Sequence, residues 1–157
     1  MTSPENAEYT EQEFDIEHIQ RASLDAIVRA MQVIRKYQFG ATIGGTSTKL
    51  TDRSLVSEVD TLSEQTIRNS LALTLPHFSI VGEEFGGQAN SEHVIFVDPL
   101  DGTKPFLAGA STSTVAIGSY SLADRMLKTA TIGQPSTGMV WQSANNAATK
   151  QLYDLHT

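Results

Sequence analysis

The apolar positions fall first into two helical runs and then into short strands. Ile16, Ile19, Ile27, Met31 and Ile34 recur at spacings that share one face of an α-helix, and Ala22, Ala26 and Ala30 fill the same face. Thr10-Glu11-Gln12-Glu13 fits a capping box. The pattern therefore predicts a helix from Thr10 to Gln38, with Gly40 as its stop. Residues 40–53, rich in Gly, Thr and Ser, read as a loop. Leu62, Ile67, Leu71 and Leu75 point inward from a second expected helix over 62–75, which Pro76 ends. After that the period shortens. Strands are expected over 78–82, 94–98, 113–120, 128–134 and 138–144, with Pro135-Ser136-Thr137-Gly138 turning the last hairpin. Polar residues 1–9, with Pro4, read as a disordered tail. The order of elements predicts an α+β domain over 10–157: two long helices packed on a mostly antiparallel sheet.

Composition narrows the function classes. A chain of 157 residues can form one domain with a real core. Its net charge of −7 argues against a nucleic acid polymer as partner, because phosphate backbones need clustered Lys and Arg. It does not exclude small phosphorylated molecules, since bound divalent ions reverse the local field. The absence of cysteine rules out disulfides and thiolate zinc sites. His18, His77, His93 and His156 are scattered and lack ligand spacing. No apolar run reaches the ~20 residues that span a bilayer. The N-terminus is acidic and polar, unlike a signal peptide. A soluble, cytoplasmic protein with no membrane partner is the expectation.

The chemistry concentrates where strands end. Val94-Ile95-Phe96-Val97 reads as a buried strand and runs into Asp98-Pro99-Leu100-Asp101-Gly102-Thr103. Pro99 stiffens the turn between the two acids, and Gly102 lets the backbone approach a ligand. Hard cations such as Mg²⁺ want a few oxygen ligands with room left for water and phosphate, which this run supplies. Upstream, the short strand Phe78–Gly82 is followed by Glu83-Glu84, so two strands are expected to end in carboxylates at one sheet edge. Asp60 follows Leu55-Val56-Ser57-Glu58-Val59 and also suits the start of the second helix, where the dipole favours an acid. Thr103 reads equally as an N-cap. Amides of Gly102 and Thr103 at a helix start can hold phosphate, and Lys104 stands next to them.

Gly82-Glu83-Glu84 followed by Asp98-Pro99-Leu100-Asp101-Gly102-Thr103 resembles the inositol monophosphatase family of Mg²⁺-dependent, lithium-sensitive phosphatases. Leu55–Asp60 is similar to the family's upstream element, with Ser57 where Thr is usual, and Lys49 falls where the family often has a lysine. The resemblance covers roughly residues 15–145 and implies two helices packed on a large sheet, followed by a smaller α/β half. It implies metal ligation by Glu83, Asp98, the Leu100 carbonyl and Asp101. Glu83 would also orient the attacking water, Asp60 and Thr103 would activate it, and Gly102, Thr103 and Lys104 would hold the substrate phosphate. Glu84 would serve the structure around Glu83. The implied reaction is hydrolysis of a phosphate monoester, of inositol monophosphate or nucleoside 3′,5′-bisphosphate type, by water activated on Mg²⁺. Lys104 after Gly-Thr is similar to the bisphosphate nucleotidase branch, whereas Pro105-Phe106-Leu107-Ala108-Gly109 departs from it, and inositol phosphates, histidinol phosphate and sugar bisphosphates stay open as substrates.

The resemblance also implies a later Trp-Asp element whose aspartate completes the metal cluster. This sequence has none: its C-terminal half of the family pattern is absent. A fragment, an interrupted reading frame and a pseudoenzyme stay open on sequence alone, as does a homodimer. The competing reading is a catalytically inactive metal-binding remnant or a subunit module. A plain Ca²⁺- or Mg²⁺-binding domain is weaker, because Gly-Thr at a helix start points to an anion.

Overall fold

A computed structural model describes residues 15–39, 53–144 and 147–155. Lys49, Gly40, His156, the tail and the Thr10–Glu13 capping box lie outside them. Helix α1 spans Ile16–Phe39 and begins later than the periodicity predicts. The Asp15 carboxylate accepts the His18 N–H at 3.1 Å, in the manner of an N-cap. Its buried face is the predicted one, from Ile19 through Ala26, Ile27 and Met31 to Ile34.

Helix α2 spans Arg53–Thr74 and so begins well before Leu62. Asp60 therefore lies inside the helix, not in its first turn, and the dipole explanation for that acid falls away. Ile67 and Leu71 are buried as expected, and so is Leu75 just beyond the helix. Leu62 is not: it is 39% exposed, and Val59, Ser63 and Glu64 take the inward positions instead. The stripe includes polar residues, which hid its true rotation.

Among the described residues, six strands form one sheet in the order β1-β2-β3-β4-β5-β6. They are β1 (Ser79–Gly82), β2 (His93–Asp101), β3 (Thr114–Ser121), β4 (Met126–Gln134), β5 (Met139–Ala144) and β6 (Ala147–Leu152). A short helix, α3 (Thr103–Leu107), sits between β2 and β3. The β1–β2 pair is parallel and every other pair antiparallel, which matches the mostly antiparallel sheet expected. Both long helices pack on this sheet, α1 against β3, β4 and β5 and α2 against β2. Alternation along β3 turns Val115, Ile117, Ser119 and Ser121 toward the helices. The buried polar groups there pair with one another: the Ser119 and Thr129 hydroxyls lie 2.7 Å apart, and Gln142 donates to Thr131 at 3.1 Å and to the Gln20 carbonyl at 2.9 Å. The opposite face leaves Phe96, Ile132 and Trp141 partly in solvent.

Candidate active site

The parallel register places Gly82 beside Val97, so β1 and its neighbour deliver Glu83 and Asp98 to the same end of the sheet. Both acids border one open groove of about 330 Å³, which Phe96 and Ala116 also line. A larger cavity of about 530 Å³ lies by His18, Leu75, Phe78 and His93 and touches none of Asp60, Glu83, Asp98 or Asp101.

Electrostatics tie the acids together. Burial pushes the Asp60 carboxyl up to about 7, helped by the charges of Glu84, Glu83 and Asp98. Asp98 is raised by burial, then by Glu83 and Asp101, against a weaker lowering by the Leu100 N–H it accepts at 3.2 Å. Glu84 is raised by burial, Glu83 and Glu64. Among the described residues, no basic side chain figures among the influences on Asp60 or Asp98. Acids grouped in this way form a donor set suited to a hard cation. Among the described residues, no group of three or more His, Asp or Glu side chains is already arranged to hold a metal ion.

The remaining predicted residues stand around this cluster. The Leu100 carbonyl accepts the Thr103 hydroxyl at 3.2 Å, and the Asp101 carboxylate accepts the Thr114 hydroxyl at 3.4 Å. Ser63 on α2 donates to the Pro99 carbonyl at 2.9 Å, fixing the helix to the Asp98–Asp101 turn. Thr103 is the first residue of α3 rather than its cap. Gly102 caps the helix, with φ 87° and no side-chain cap bond, a left-handed conformation that favours glycine. Pro105 falls in the first turn, where its missing N–H costs nothing. Lys104 is exposed. Glu83 and Glu84 lie in the turn after β1.

Two residues of this region went unread in the sequence. Glu64 is fully buried on α2, and Arg68 pairs with it at 2.7 Å. The available signal was position: Glu64 falls on the same helical stripe as Ile67 and Leu71.

The model of the inositol monophosphatase family matches residues 15–153. The chain belongs to that family. Among curated relatives it is 38% identical over 68 residues to a fructose-1,6-bisphosphatase/inositol-1-monophosphatase of Aquifex aeolicus, covering 43% of this chain and 26% of that protein. It is 40% identical over 58 residues to a histidinol-phosphatase of Streptomyces coelicolor, covering 37% of this chain and 22% of the relative. The fold matches the crystal structure of CysQ from Bacteroides thetaiotaomicron, a family member, with a TM-score of 0.73 at 22% identity, over 91% of this chain and 51% of that one. The chain thus spans about half the length of this family structure.

Proposed function

We propose that this chain carries the catalytic metal-binding half of a Mg²⁺-dependent phosphomonoesterase. The observation that carries the reading is the convergence of Glu83 and Asp98 on one groove with Asp60, Glu84 and Asp101 in electrostatic contact around them. Family membership and phosphatase names among relatives support it.

Glu83, Asp98, Asp101 and the Leu100 carbonyl would hold the cations. When bound, Mg²⁺ would lower the pKa of a water molecule and offset charge on the leaving oxygen. Asp60, whose carboxyl burial and neighbouring acids push up to about 7 in the metal-free chain, would accept or return a proton at that water, and Thr103 lies on the same turn as the Leu100 carbonyl. Gly102 and Thr103 present backbone N–H groups to the substrate phosphate, and Lys104 adds charge at the mouth. The substrate is a small phosphorylated molecule of inositol monophosphate or nucleoside bisphosphate type. Relatives carry the names of phosphatases with different substrates, so their names do not choose between these. Self-association belongs to the same reading: Phe96, Ile132 and Trp141 stand partly in solvent on the open sheet face, and sedimentation velocity reads its extent. A cytoplasmic site of action fits as well; among the described residues, no helix is long and apolar enough to cross a membrane.

The test is hydrolysis of inositol monophosphate and adenosine 3′,5′-bisphosphate at millimolar Mg²⁺. The chain alone is expected to turn over little or nothing, and a version extended with a family C-terminal half to turn over readily. An inactive extended protein that is folded contradicts the proposal, as does Asp98→Asn with near wild-type turnover in it. Robust turnover by the short chain would show that its site needs no further carboxylate from the same chain. The second reading is a non-catalytic metal-binding module. It predicts Mg²⁺ binding with no turnover in either version.

A further inference from the structure

A carboxylate without exposed surface is costly unless its oxygens are all engaged. Glu64 is such a group, and its partners all belong to α2 or to the turn that carries Glu83. Oε2 accepts the Glu84 N–H at 2.7 Å, and Oε1 accepts the Phe85 N–H at 3.3 Å and the Arg68 Nε–H at 2.7 Å. Arg68 reaches past the carboxylate, donating to the Ile80 carbonyl at 3.4 Å and to the Gly86 carbonyl. Its guanidinium also lies 5.7 Å from the centre of the Phe85 ring. The Gly82 N–H closes the turn on the Gly86 carbonyl at 2.9 Å. Gly82 itself makes room for the clamp, because a Cβ there would lie 2.1 Å from Glu64 Oε1.

The backbone on both sides of Glu83 is therefore fixed by one ion pair, with a buried carboxylate and a partly buried guanidinium, while the Glu83 side chain stays exposed. A buried pair is a poor device for stability, since apolar residues of the same volume often do as well. Its hydrogen bonds to this one turn point to placement of what the turn carries.

We infer that Glu64, held by Arg68, is a positioning residue that fixes the Gly82–Gly86 turn so that the Glu83 carboxylate is presented to the divalent cation. The inference rests on the reading of Glu83 and Asp98 as cation ligands. Ordering the turn before the cation arrives removes an entropic cost from binding.

The experiment is Mn²⁺ binding to the 157-residue chain, followed by electron paramagnetic resonance at a temperature where circular dichroism shows every variant folded. Hydrogen exchange at the Glu84 and Phe85 amides is read alongside. Glu64→Gln should weaken Mn²⁺ binding about 10- to 100-fold, the range seen for residues that orient metal ligands, and should unprotect both amides. In the Glu83→Gln background the same substitution should leave affinity unchanged, because Glu64 acts only through Glu83. Should Glu64→Gln not fold, Glu64→Asp keeps the charge, withdraws the carboxylate from the turn, and should show the same loss and the same dependence on Glu83. A Glu83-dependent site indifferent to the folded Glu64 variant overturns the inference alone. So does an equal loss in both backgrounds, which marks a merely structural role. Mn²⁺ affinity indifferent to Glu83→Gln overturns the site reading and the inference with it.

Discussion

Asp60 and Asp98 are raised by the same two causes, burial and neighbouring acids, and both effects have consequences that can be measured without substrate. A carboxyl whose folded pKa exceeds its unfolded value binds its proton more tightly in the folded chain. For Asp60, between the ordinary 3.8 and about 7, the unfolded chain releases a proton that the folded chain keeps. Stability of the metal-free protein should then fall as pH rises through that window, by at most about 1.4 kcal/mol per pH unit for one such group. Above about 7 this contribution to the slope ends. Asp98 and Glu84, shifted the same way, add to it. Urea unfolding across the window should show a shallower decline in Asp60→Asn, and an unchanged slope would contradict a burial-driven shift. Asp98→Asn removes one of the crowded charges while keeping the side chain's shape. Its metal-free melting temperature should equal or exceed that of the wild type, and the upward shift on adding Mg²⁺ should vanish. A mutant still stabilised by Mg²⁺ to the wild-type extent would show that Asp98 is not a ligand. The acids of the turns were readable because Glu83-Glu84 and Asp98 follow short strand runs, and Asp101 precedes Gly102-Thr103. Glu64 was not, because a Glu–Arg pair one helical turn apart ordinarily sits in solvent.

At the scale of elements, periodicity located α1, α2 and β1 to β5, and it failed where polar residues occupy buried positions or apolar ones are scarce. In α2, Asp60, Ser63 and Glu64 interrupt the apolar stripe, so the helix was expected to start only at Leu62 and to turn Leu62 inward. In β6 all residues are exposed, and Ala-Ala-Thr-Lys-Gln-Leu has little strand propensity. That strand exists by pairing with the edge of β5, a tertiary cause that local sequence does not display. The contact of α1 with β4 was equally hidden. At Gly133 a Cβ would lie 2.6 Å from Met31 Sδ and 2.8 Å from Ile27 Cγ2, so the helix rests directly on strand backbone. Gly133→Val should destabilise the fold by about 1–3 kcal/mol through overpacking. Urea unfolding measures this, and an undiminished midpoint would mean that α1 is free to lift away.

For the whole molecule, the order of strands follows the order of the chain, so neighbouring strands pair in sequence. The one parallel step brings Glu83 and Asp98 to the same end. The class of fold and the placing of Glu83 and Asp98 at one end of the sheet were therefore legible from element order, whereas the place of Asp60 inside α2 was not. Substrate was not, because Lys104 and the following Pro105–Gly109 point to different branches, and the chain spans only about half the length of the CysQ chain it matches. The central claim, one cation site built from the ends of two parallel strands, is tested most directly by anomalous diffraction from crystals of the chain grown with Mn²⁺. The account predicts a manganese peak in contact with the Glu83 and Asp98 carboxylates and the Leu100 carbonyl, at distances near the roughly 2.0–2.1 Å of a Mg²⁺–oxygen bond. No peak at saturating Mn²⁺, or Glu83 and Asp98 carboxylates held more than about 8 Å apart, too far to share an ion at such bond lengths, would contradict it.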